Sequence, residues 1–372
     1  KMSQTKVEAP FVEGGGGTGF KNLIINGDMQ INQRGTTASM TSDTYGGPDR
    51  FSYNIVDNGT WTVSQETDVP SGQGFHKSLK LDCTSADASV AASSVFRFQQ
   101  QIETQFLARV MHGTSDAKQM VLSFWIKWDN SIGGNFAVDI LNLNNSNNRT
   151  VSKLFSYTAD SGWQKYVWNI PADTGGNALT NDNTSAYYLQ IFLSGGSNVT
   201  SGTMNTTWAT RVNANRAAGQ TIQSASSTSN NVYITGIQLE VSDSGASEFE
   251  HLPHDIQLQR CQRYFYLHTD PLSSDNEPVC MGTYYSSSQV NGIIHFPVTM
   301  RTSPSLICTD ASTHFRIYRN GTGDTTDNWS AGNITKNAAE IYNNSDVSGT
   351  AGHGCTISTD DAAASISYNA EL

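Results

Sequence analysis

The residues in this chain best suited to chemistry are aromatic rings set among side-chain amides and hydroxyls. An aromatic face can cover the C–H side of a sugar ring, while amides, carboxylates and hydroxyls bond its hydroxyl groups. Two groups of such residues stand out. Trp125, Tyr188, Phe192 and Gln190 lie in alternating segments that read as strands, with Trp208 in a polar run beyond them. Tyr284, Tyr285, His314, Tyr318, Trp329 and Tyr342 lie in Asn/Ser/Gly-rich segments, where an apolar core has less claim on them. The stretch YRNGTGDTTDNWS, Tyr318 to Ser330, has the composition of a recognition loop. The candidate glycan-binding residues are therefore Tyr318, Trp329, His314, Tyr284, Trp125, Tyr188 and Phe192. For each ring the competing reading is burial, the commoner fate of Trp and Tyr.

Signals for catalysis are weak. The chain has no GxSxG elbow, no HExxH and no P-loop. Glycoside hydrolysis needs two carboxylates about 5 Å or about 6.5–9.5 Å apart, a spacing that sequence does not display. Asp173 and Asp182 sit among small residues and read as turn formers. No catalytic residue is assigned, and a binding protein is expected rather than an enzyme.

Charged residues are only 15% of the chain, and the polar balance is Asn, Ser, Thr, Gly and Gln. Such a surface is neutral and hydrogen-bonding, and suits β-rich extracellular or virion proteins. The net charge of −11 argues against nucleic acid and against anionic membranes, both of which need clustered Lys and Arg. No apolar run is long enough for a membrane-spanning helix, so no membrane insertion is expected. Lys1 to Gly19 lacks the apolar centre of a signal peptide, so synthesis in a bacterial cytoplasm and release in a particle or by lysis is expected. The five cysteines, Cys83, Cys261, Cys280, Cys308 and Cys355, are far apart and odd in number, which predicts reduced thiols and no zinc site.

These residues need elements to position them. A length of 372 residues predicts two or three domains. Val121 to Trp128 places Leu122, Phe124, Ile126 and Trp128 on one face, with Trp125 and Lys127 on the other. Ala186 to Leu193 sets Tyr187, Leu189, Ile191 and Leu193 opposite Tyr188, Gln190 and Phe192. Asp49–Val56, Trp61–Val69, Phe75–Leu81, Ser94–Gln101, Asn135–Leu143 and Trp163–Ile170 add strands of the same kind. Ile102 to Met111 has apolar residues at helical spacing. Asn231 to Val241 is close to period two, with a slip at Gly236 that predicts a bulge or a close backbone approach. Many even strands and almost no helix predict an all-β chain with a two-sheet sandwich. After the linker Ser242–Ser247, a short helix capped by Asp255 is expected to run to about Tyr266. A second β unit follows, with strands at Cys280–Tyr285, Gly292–Val298, Ser305–Cys308, Phe315–Tyr318, Thr356–Ser358 and Ala364–Ala370.

Several of these stretches resemble one family. FEHLPHDIQLQRCQRYF (Phe249 to Phe265) is similar to the hinge segment of bacteriophage virion fibres, especially those of marine and cyanobacterial phages, with Leu252 at the usual Arg and Gln257 at the usual Glu. The segments FQQQIE, LSFWIKW, GWQKYVWNIPAD and NVYITGIQLEV resemble the carbohydrate-binding-module-like jelly roll of those fibres. IIHFPVTMRTSPSLI and AASISYNAEL resemble their C-terminal tip domain. The resemblance implies a virion-attachment tether over residues 1–21, a jelly-roll β-sandwich over 22–245, a hinge and short helix over 246–266, and a C-terminal β-sandwich over 267–372. It implies a homotrimer whose N-terminus meets a virion adaptor, tail or capsid protein, and whose function is adhesion to host polysaccharide or lipopolysaccharide. A head fibre or capsid decoration protein is the alternative with the same modules, and a tailspike-like depolymerase is the second. Related jelly rolls hold a structural calcium beside an NGDFE-like start. Here Gln30 and Thr235-Gly236 stand where carboxylates would be, so no cofactor is expected.

Overall fold

The computed structural model describes residues 20–269, 276–309, 311 and 313–372. Residues 1–19 of the expected tether lie outside the described residues. The first thirteen strands are β1 (Thr37–Met40), β2 (Thr44–Tyr45), β3 (Ser52–Val56), β4 (Thr60–Glu66), β5 (Ser78–Ser85), β6 (Val95–Glu103), β7 (Met120–Trp128), β8 (Gly134–Asn142), β9 (Arg149–Tyr157), β10 (Gln164–Ile170), β11 (Ser185–Gly195), β12 (Ala209–Thr210) and β13 (Asn231–Val241). They form a six-stranded sheet, β1-β4-β5-β13-β7-β10, and a seven-stranded sheet, β12-β9-β8-β11-β6-β3-β2. Strand alternation builds the core between them. Leu122, Phe124, Ile126 and Trp128 from one sheet and Tyr187, Leu189, Ile191 and Leu193 from the other belong to one buried cluster. The result is a jelly-roll β-sandwich in a nearly all-β chain.

Gly236 shows why β13 slips. Its φ is +64°, and the β13–β7 register shifts between Thr235 and Gln238. A Cβ there would stand 2.5 Å from the Phe75 ring and 3.0 Å from Trp125, so only glycine fits this bulge. One sequence expectation is corrected nearby, and one strand had no expectation at all. Ile102 and Glu103 end β6, and only Thr104–Val110 turns, as a 3₁₀ helix. The strand Arg149–Tyr157 carried no clear alternation in sequence, yet β9 pairs with β8 over nine residues.

The chain between β12 and β13 is mostly loop, preceded by the one-turn helix α1 (Ser197–Thr200). The linking helix α2 spans His254–Gln262, and its N-cap is Pro253 rather than Asp255. It ends before Tyr266 because Phe265–Leu267 is a strand, β14, paired to the end of the chain. Nine further strands follow: β15 (Pro278–Ser286), β16 (Gln289–His295), β17 (Ser305–Cys308), β18 (Phe315–Arg319), β19 (Thr322–Thr326), β20 (Ser330–Gly332), β21 (Ala338–Asn343), β22 (Gly354–Thr359) and β23 (Ile366–Asn369). They make a three-stranded sheet, β14-β23-β17, and a seven-stranded sheet, β19-β18-β22-β15-β16-β21-β20, around a second buried cluster. Cys83, Cys261, Cys280 and Cys355 are free thiols.

Candidate functional site

The outer face of the first seven-stranded sheet gathers a cluster of polar side chains. Because Tyr187, Leu189 and Ile191 point into the core, Tyr188, Gln190 and Phe192 point out. Gln190 sits between Gln99 of β6 and Asp139 of β8, and Phe192 sits beside Arg97. Asn54 lies across from Arg97 on β3. The loop after β12 then lays Arg211, Asn213 and Arg216 over this face. Together with Asn54, Arg97, Gln99, Leu141, Tyr188 and Gln190 they line a pocket of about 350 Å³.

A hydrogen-bond network locks the rotamers. The Gln190 amide oxygen accepts from both Arg216 and Arg97, and its NH₂ donates to Gln99. Gln99 donates onward to Ser52 Oγ at 3.1 Å. Arg97 Nε donates to Asn54 Oδ1 at 2.9 Å. Arg216 Nε donates to Asp139 Oδ2 at 2.7 Å, and this pair is 4% and 0% exposed. Burial raises the Asp139 carboxyl pKa, while Arg216 and then Arg97 pull it back. The Phe192 ring lies beneath the arginines, with the Arg216 and Arg97 guanidinium carbons 5.4 and 5.7 Å from its centroid. Guanidinium forks, side-chain amides and one half-buried tyrosine held this firmly can bind a polar ligand with little ordering cost.

The structure brings only some of the sequence candidates together. Tyr188 is at the pocket wall, and Phe192 is fully buried beneath the arginines, so it supports the site without facing a ligand. Trp125 is on the opposite sheet, beside Lys165 and Thr235, because β7 belongs to the other half of the sandwich. Tyr284 and Trp329 are not loop residues on a surface. Both are buried in the second core, Tyr284 on β15 and Trp329 with its ring 6.2 Å from Phe315. Tyr318 is exposed and lines a second, shallower pocket with Arg316 and Asp324. Its hydroxyl accepts from Arg316 at 2.8 Å, beside Asp324. His314 is half-buried next to Phe315. The segment after Tyr318 is a β18–β19 hairpin turned by Asn320-Gly321, with φ of +48° and +77°.

Sequence reasoning missed Arg97, Gln99, Asp139, Arg211 and Arg216. The alternation of Arg97, Gln99 and Gln101 in β6 was a usable signal for the first two. Arg211 and Arg216 sit in an irregular polar run that carries no periodicity.

Asp173 and Asp182 are each held by separate partners. Asp173 accepts from Arg149 through both oxygens, each at 2.7 Å. Asp182 is a turn carboxylate bonded to Thr184, and those bonds hold its pKa down to about 2. Trp208 is anchored as expected, donating to Pro171 O at 2.9 Å and packing on His112. Asn142 gives its Oδ1 to the Asn144 amide, so its NH₂ donates to His112 Nε2 at 2.8 Å. Nδ1–H then faces the Tyr187 hydroxyl at 2.8 Å, which makes His112 a neutral imidazole. Burial lowers its pKa, with Asp173 opposing and Arg149 assisting. The unfolded chain therefore takes up this proton first, and stability falls as pH drops through about 6.5. Thermal denaturation from pH 7.5 to 5.5 should show this loss, with a slope of up to about 1.4 kcal/mol per pH unit that His112→Gln removes.

Among the described residues no group of three or more His, Cys, Asp or Glu is placed to hold a metal ion. At the NGD turn Asp28 instead accepts from Gln257, and the Thr235 hydroxyl donates to Lys77 O at 2.8 Å. No helix among the described residues is long and apolar enough to cross a membrane.

No family model matches the chain, and no curated protein matches it. Solved structures with a similar fold include the tailspike protein 4 enzymatically active domain of bacteriophage CBA120, at 14% identity and TM-score 0.31, covering 59% of this chain and 21% of that one. The family 22 carbohydrate-binding module of Clostridium thermocellum Xyn10B matches at 10% identity and TM-score 0.30, over 56% of this chain and 94% of that one. The tandem CBM22-1–CBM22-2 domain of Paenibacillus barcinonensis Xyn10C matches at 9% identity and TM-score 0.30, over 96% and 100%. At these scores the likeness does not extend to a ligand or an activity.

Proposed function

We propose that this chain is a glycan-binding phage fibre protein that attaches a virion to the host surface without cleaving the sugar. The observation that carries the binding claim is the amide- and guanidinium-lined outer face of the first seven-stranded sheet, with Tyr188 at its wall. The phage assignment rests on the segments FEHLPHDIQLQRCQRYF and IIHFPVTMRTSPSLI. In this reading residues 22–245 are the body and 267–372 the tip, joined by α2 and its flanks. The tip would trimerise through the outer face of its large sheet, where Met281, Tyr285 and Ile293 are 71%, 73% and 52% exposed. Individual sugar contacts are weak, and three copies raise the avidity.

The test is saturable binding of labelled full-length protein to host lipopolysaccharide and capsule extracts, with reducing ends followed in the same tubes. Light scattering should give three copies. Tyr188→Ala should weaken binding about tenfold, the loss expected for one aromatic contact. Release of reducing ends would turn the reading to a depolymerase. A folded trimer that binds no extract would turn it to a capsid decoration role.

A further inference from the structure

We infer that the glycan held by this face carries an anionic substituent, a carboxylate or a phosphate, seated among Arg97, Arg211 and Arg216. This rests on the glycan-binding reading above and adds the ligand's charge.

The chain carries a net charge of −11, yet the pocket wall holds three guanidiniums and no carboxylate. Asp139 lies below the pocket and pairs with Arg216, so it offsets one of the three. At the rim, Asp43 spends Oδ1 on Asn54 Nδ2 at 2.6 Å and on the Ile55 amide at 3.2 Å. Arg211 is half-buried, and among the described residues its guanidinium has no hydrogen-bond or ion-pair partner. A site built only for neutral sugar gains little from a third arginine left without an acceptor. Burial most of all, and then the neighbouring Arg216, push the Arg97 pKa down to about 10, with Asp139 and Asp43 opposing. A carboxylate or phosphate on the sugar supplies the missing acceptor, and guanidinium forks match both geometries.

The experiment uses the full chain in affinity electrophoresis against two matched pairs. One is polygalacturonate and its carboxyl-reduced form. The other is a phosphorylated lipopolysaccharide core and its dephosphorylated form. At least one charged member should bind about tenfold tighter than its neutral mate, and the responding pair identifies the anion. Arg211→Gln should remove that advantage, bringing the charged member's affinity down to within about twofold of its neutral mate's. Circular dichroism checks that the variant folds. Equal binding of charged and neutral members, with Tyr188→Ala still weakening both, overturns the anion assignment and leaves the glycan face standing. Insensitivity of every polymer to Tyr188→Ala overturns the face itself, and this inference with it. Retention of none of the four polymers also overturns it.

Discussion

Glu371→Ala should lower the free energy of unfolding by about 4 kcal/mol, the largest single effect expected in this chain. The carboxylate is 3% exposed and takes both Arg34, at 3.0 Å, and Arg50. Arg50 is buried, donates to Gln101 O at 2.9 Å, and stacks with its guanidinium carbon 3.4 Å from the Tyr264 ring centroid. Burial already lowers the Arg34 pKa to about 10, with Asp49 opposing it. Removing Glu371 strands two guanidiniums that cannot shed their charge near neutral pH. The same junction holds Glu103, which accepts from Arg263 at 3.0 and 2.8 Å and from the Tyr264 hydroxyl. Arg301 closes it by donating to Ala370 O at 2.7 Å and Asn183 O at 3.2 Å. These bonds tie the end of the chain and the residues after α2 to the sandwich. Guanidinium unfolding read by far-ultraviolet circular dichroism and by tryptophan fluorescence checks the prediction. A loss under about 1 kcal/mol would mean that the pair is solvated and carries no weight.

Asp139→Ala should cost about 3 kcal/mol at pH 7, and acidification to pH 5 should not relieve that cost. Its partner Arg216 is buried and keeps its charge throughout that range. Arg216→Ala strands a carboxyl instead, and a carboxyl can escape by taking a proton. Neutralising an ordinary Asp costs roughly 4 kcal/mol at pH 7 and roughly 1.5 kcal/mol at pH 5. A carboxyl with a raised folded pKa is penalised as pH rises through the interval above its unfolded value, so the Arg216→Ala penalty should shrink on acidification. Denaturant midpoints of both variants at the two pH values test this. Parallel behaviour would show that Asp139 is not the buried ionised partner of Arg216. Both variants should also lose glycan binding, since Arg216 bridges Asp139 to Gln190.

Much of the architecture was determined by local pattern. Leu122/Phe124/Ile126/Trp128 and Tyr187/Leu189/Ile191 alternate so regularly that one strand face had to be buried. That alternation also pointed Tyr188 and Gln190 outward. Gly236 announced a bulge because no other residue tolerates that φ beside an aromatic ring. The hairpin turn at Asn320-Gly321 is written in the dipeptide, although the residues around it have the composition of a loop.

Tertiary structure decided what those faces meet. Trp125 and Tyr188 share an outward orientation, yet the strand order β1-β4-β5-β13-β7-β10 puts Trp125 on the other sheet. Trp329 and Tyr284 look surface-exposed by the polarity of their neighbours, but Phe315 and the strands around them close over the rings. Helical spacing in Ile102 to Met111 lost to sheet pairing, because β6 gains cross-strand bonds to β11 through Glu103. The arginines of the pocket come from β6 and from a loop more than a hundred residues later. No local rule links such positions. Long-range sheet order brings them together, and charge pairing with Asp139 and Gln190 holds them there.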